Sequence, residues 1–125
     1  MGQVEQPGDQ QTLNALLRVS VESWRFLRTA ERFCSQLDAD QQRRIGSRIS
    51  YFDRLPTDEL ANLGYSLIDF RGQPFGPQIA ASAVNVDEFA PSDSLVVDQT
   101  VEPAVIGPDG LLRMGTVTLR KREDS

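Results

Sequence analysis

The chain has no histidine and only one cysteine, and no apolar run approaches the roughly 20 residues that span a bilayer. Without histidine, Ser-His-Asp and Cys-His catalytic arrangements are excluded, as is any zinc site that uses an imidazole. One thiol cannot form an intramolecular disulfide or a thiolate zinc cluster, so Cys34, set among apolar residues, reads as a buried thiol in a reducing compartment. Glycine is also sparse where phosphate chemistry would need it, since Gly72, Gly76, Gly107 and Gly110 fall in turn-like contexts and form no phosphate-binding loop. The polar start Met1–Gly8 lacks the features of a secretory signal, and cytoplasmic residence is expected.

The balance of 13 basic against 18 acidic residues, a net charge of -5, offers no broad attraction to nucleic acid or to an anionic membrane. With 39% hydrophobic and 25% charged residues in 125, the composition is that of an ordinary globular chain with a modest core. Asp87, Glu88 and Asp93 form the densest acidic group, but nothing beside them supports acid-base work or a calcium loop, and they read as surface residues near a turn. The expectation is a binding protein with no catalytic residues, no metal and no cofactor.

From Asp9, a possible N-cap, to Leu37 there is neither proline nor glycine, and the apolar residues recur at helical spacing. Leu13, Leu17, Trp24, Leu27 and Cys34 make one stripe, and Leu16, Val19, Phe26 and Phe33 make another beside it. So wide a face suits a helix packed by two neighbours in a bundle. Glu22 with Arg25 and Arg28 with Glu31, each three apart, lie on the polar side. Asp38 and Asp40 can cap a second helix that carries Ile45, Ile49 and Phe52 on one side and closes at Pro56. Thr57 then opens a short third helix ending at Gly64. Gly46 inside the second helix marks a close contact or a bend.

Beyond Gly64 the pattern turns to strand and loop. Extended segments are expected over 65–70, 83–86, 95–101, 104–106 and 111–120, with Gly107-Pro108-Asp109-Gly110 as a hairpin turn between the last two. The fold class is therefore α+β: an N-terminal helical hairpin or bundle followed by a small antiparallel β domain. In ranges, 1–8 are a disordered N-terminus, 9–64 the helical and dimerisation region, 65–121 the β domain and 122–125 a tail.

Leu63-Gly64-Tyr65-Ser66-Leu67-Ile68, followed by Gly72-Gln73-Pro74-Phe75-Gly76-Pro77, resembles the GrpE family of nucleotide exchange factors. Those proteins close a bundle helix with glycine and run a short strand into a Pro-Phe-Asp-Pro-like loop. The segment Ala83–Pro91 and the final run Gly110–Leu119 are similar to later family strands in order and spacing, so the resemblance covers roughly 60–121. Departures are Ile79-Ala80-Ala81-Ser82 in place of a His-Glu-Ala-like element, and Glu102-Pro103 near the position of a customary Gly-Tyr. A first helix starting near position 9 also leaves no room for the family's long paired-helix stalk.

The resemblance implies a dimeric co-chaperone of protein folding and the stress response, whose β-wing binds the ATPase domain of a DnaK-type chaperone and promotes ADP release. It places Arg113, Met114 and Leu119 at the partner surface, with Pro74, Phe75 and Pro77 shaping the base of the wing. Leu13, Leu17, Trp24, Phe26 and Leu27 are the expected dimerisation residues. The alternative is a GrpE-derived adaptor that has kept the fold, changed partner and lost exchange activity.

Overall fold

The computed structural model describes residues 7–123. Most of the expected disordered N-terminus, residues 1–6, and the last two tail residues lie outside them. The chain divides into two compact units, Met1–Leu60 and Ala61–Ser125.

The first unit is a helical hairpin. α1 runs Pro7–Cys34, two residues earlier than the Asp9 cap anticipated, because proline has the φ and the missing N–H that a first helical position tolerates; Asp9 falls in the acidic first turn instead. Both expected surface pairs form, Arg25 to Glu22 at 3.1 Å and Arg28 to Glu31 at 3.2 Å. The chain reverses over 35–38 and is held there by side chains. Asp38 Oδ1 accepts from the Gln41 N–H at 2.8 Å while Gln41 Oε1 accepts from the Asp38 N–H at 3.4 Å, a reciprocal cap. Gln42 Nε2 donates to the Ser35 and Leu37 carbonyls, which α1 leaves without amide partners.

α2 runs unbroken over Ala39–Asn62, so the expected closure at Pro56 and the separate third helix are both corrected. Proline at 56 removes one rung, the amide that would reach the Phe52 carbonyl, and the turns on either side continue. Thr57 Oγ1 donates to the Asp53 carbonyl at 3.2 Å across the same stretch. Arg28 links the two helices, 2.6 Å from Asp53 and 4.9 Å above the Trp24 ring. Gly64 ends the helix as anticipated, in the left-handed region at φ 86°, with its N–H on the Ala61 carbonyl.

The second unit packs two three-stranded sheets around a small core. Its strands are β1 Ser66–Ile68, β2 Ala81–Ala83, β3 Leu95–Glu102, β4 Ala104–Gly107, β5 Gly110–Arg113 and β6 Gly115–Lys121. One sheet has the order β1-β4-β5 and the other β2-β6-β3. Pairing is antiparallel except between β2 and β6, which are parallel. Phe70, Ala81, Val97, Ala104, Val117 and Leu119 form the buried cluster.

Two sequence expectations change here. The strand expected over 83–86 lies at Ala81–Ala83, and Val86–Glu88 is instead a 3-10 turn. The run 111–120, read as one strand, is two strands in different sheets, separated at Met114. Between β3 and β6 the chain changes sheets twice, at Pro103 going out and at Met114-Gly115 coming back. Proline cannot continue the β3 ladder, and a Cβ at Gly115 would stand 2.9 Å from both the Glu102 carbonyl oxygen and the Phe70 ring, so glycine alone fits the return crossing. Bulges at Asp98 and Val101 add twist to β3. The expected hairpin turn forms, with Gly107 and Gly110 paired and Gly110 at φ 116°.

Candidate partner-binding surface

β5 is a short outer strand, and all four of its residues are exposed. Its inner side pairs with β4, setting Leu111 opposite Ile106 and Arg113 opposite Val105 with Leu112 as a bulge between them. Among the described residues its outer side meets no other strand, which leaves backbone N–H and C=O groups available to a partner. Leu111, Leu112 and Met114 are 52%, 59% and 49% exposed, and Ile106 adds to the same apolar edge. Arg113 sits within this edge, and among the described residues it forms no ion pair or side-chain hydrogen bond. An exposed guanidinium surrounded by apolar side chains can pair with a carboxylate of another protein while its neighbours bury area.

Other expected contact residues are placed differently. Leu119 is 3% exposed and belongs to the core, which corrects its assignment to the partner surface: Gly115, Val117 and Leu119 alternate inward along β6. Pro74, Phe75 and Pro77 lie in a loop laid along β3. Phe75 N–H donates to the Leu95 carbonyl and Val97 N–H to the Gln73 carbonyl, both at 2.9 Å, and Pro74 bridges to Val96. Phe75 packs on the core while Pro74 and Pro77 face solvent. The loop therefore shields one edge of the β2-β6-β3 sheet, whereas Arg113 and Met114 border the other sheet.

In the helical unit Leu17, Trp24 and Leu27 are buried within the chain and Leu13 is half-buried, so of the five expected dimerisation residues only Phe26 stands exposed, at 69%. Cys34 is half-buried, more open than its apolar setting suggested. The acidic group serves local structure. Asp93 Oδ2 accepts from the Ala90 N–H at 2.9 Å, and Glu88 accepts from Asn85 Nδ2 at 3.3 Å. Among the described residues no cluster of three or more His, Cys, Asp or Glu is arranged to hold a metal. No described helix is long and apolar enough to cross a membrane.

What sequence reasoning missed is the exposure of Leu111 and Leu112. The signal was present in the density of apolar residues beside Arg113 immediately after a hairpin turn, because β5 is an outer strand and no described strand lies beyond it to bury them. No family model, no curated protein and no solved structure matches this chain.

Proposed function

We propose that the chain is a GrpE-like co-chaperone whose β5 edge binds the ATPase domain of a DnaK-type chaperone and promotes release of ADP. The observation that supports this most is β5 itself: an edge strand exposed on every residue, carrying Arg113 without an ion-pair partner among the described residues, at the position where the sequence resemblance puts the family's contact strand. The two-part arrangement, a helical hairpin followed by a small β domain, is the α+β organisation that the resemblance implies. Exchange needs no catalytic group. It requires only that the factor bind the open, nucleotide-free state of the ATPase better than the closed one, and about 5.5 kcal/mol of such preference moves the equilibrium from 1:99 to 99:1.

Stopped-flow release of labelled ADP from the DnaK-type chaperones of the source cell tests the reading. Acceleration that saturates at stoichiometric amounts of the chain supports exchange. Binding to a chaperone without acceleration contradicts exchange, and neither binding nor acceleration removes the reading and favours the adaptor with another partner.

A further inference from the structure

We propose that the open groove between α1 and α2 is a docking site for an acidic amphipathic helix of another protein. The inference concerns the helical unit alone and does not depend on the exchange-factor reading. It starts from the two apolar stripes of α1. The stripe containing Leu17, Trp24 and Leu27 is buried, whereas Val19, Phe26 and Phe33, seven residues apart, are all more than 60% exposed. A side chain every seventh position keeps one azimuth on a helix, so these three form a continuous outward ridge. α2 sets Ile45 and Phe52, also seven apart, beside it, and the two helices wall a groove of about 800 Å³. Leu27 and Ile49, less exposed, lie deeper.

Length and charge select the occupant. The lining runs from Arg18 to Ala30 along α1, which at 1.5 Å per residue is about 18 Å, or three turns of a docked helix with anchors at i, i+3 or i+4, and i+7. Arg18 and Arg48 stand on the rim, exposed, and neither has an ion-pair partner among the described residues. The rim's acidic residue, Glu22, is held by Arg25 at 3.1 Å. The free charge at the groove is therefore positive, although the chain as a whole is acidic. A second copy fits less well, because a two-fold contact would set the Arg18 and Arg48 of one groove against the same pair of the other.

The test uses two synthetic helical peptides of about 14 residues, with leucine at the anchor positions and either glutamate or lysine on the flanks, titrated against the full chain by calorimetry. The glutamate peptide is expected to bind saturably and the lysine peptide about tenfold more weakly. Phe26→Ala or Phe52→Ala should weaken the glutamate peptide by about tenfold or more, and R18E together with R48E should invert the preference between peptides. Because these four side chains are exposed, retained helicity by circular dichroism confirms that the variants fold. Equal binding of both peptides, or no saturable binding, overturns the proposal. So does sedimentation in which the unliganded chain dimerises and Phe26→Ala returns it to monomer, which would assign the groove to a second copy.

Discussion

Asn85 and Leu119 exchange two hydrogen bonds: Asn85 Nδ2 donates to the Leu119 carbonyl at 3.0 Å, and Asn85 Oδ1 accepts from the Leu119 N–H at 2.8 Å. A side-chain amide thereby continues, for one residue, the ladder that β2 makes with β6, beyond the bond from Val84 N–H to the Val117 carbonyl. The chain can leave β6 at this point and enter the Val86–Glu88 turn without stripping β6 of partners. Asn85→Ala leaves both backbone groups of Leu119, a buried residue, without those bonds. The expected cost is about 1–3 kcal/mol, read as a lower urea midpoint at unchanged slope. An unchanged midpoint would mean that water replaces the amide freely.

Gly115 is the second structural test. Its Cβ position is occupied by the Glu102 carbonyl oxygen and the Phe70 ring, each at 2.9 Å, and by the Ala104 nitrogen at 3.0 Å. Two of the three are backbone atoms and cannot rotate away. Gly115→Ala should cost about 1–3 kcal/mol by denaturant unfolding and should loosen the two-sheet core, with Phe70 displaced. A variant as stable as the parent would show that the β5-to-β6 crossing can shift as a unit.

Gly46 gives the opposite expectation. It lies inside α2, and a Cβ there would meet nothing within 4 Å, so the close contact considered from sequence does not occur. Gly46→Ala should raise the stability of the helical hairpin by about 0.5–1 kcal/mol through backbone entropy and helix propensity. Thermal unfolding followed at 222 nm, set by the helix signal, measures it. A loss of stability would place another group against this turn.

These cases also mark how far the sequence could be read. α1 was legible because an uninterrupted run with 3.6-residue spacing has no other use, and the Gly107–Gly110 turn because its residues impose the reversal. Pro56 misled, since one missing amide is a weaker signal than the helical continuity on both sides of it. The 111–120 run misled for a different reason. Strand parity read straight through it puts Arg113 on the same face as Gly115, Val117 and Leu119, and only the change of sheet at Met114 separates an exposed Arg113 from a buried Leu119. The parallel β2-β6 pair depends on contacts between segments over 30 residues apart, which leave no local trace. For the candidate site, Arg113 and Met114 were singled out by the resemblance and the structure adds only that both are exposed, whereas the exposed ridge of Phe26 with Val19 and Phe33 could be told from the buried stripe beside it only once α2 had taken its place.

On the proposed function, Arg113 on the β5 edge couples this chain to nucleotide release. The measurement is stopped-flow ADP release from a DnaK-type chaperone with the parent chain and with Arg113→Glu, alongside the affinity of the chain for the chaperone with and without ADP. Arg113 is exposed on an outer strand, so the variant should retain its fold, with a stability change within about 0.5 kcal/mol. The expected result is faster release with the parent, loss of that acceleration with Arg113→Glu, and weakening of the parent complex by saturating ADP by the same factor that the chain weakens ADP, because coupling free energies are reciprocal. Equal acceleration by the parent and the variant, or no acceleration by a folded parent, would contradict it.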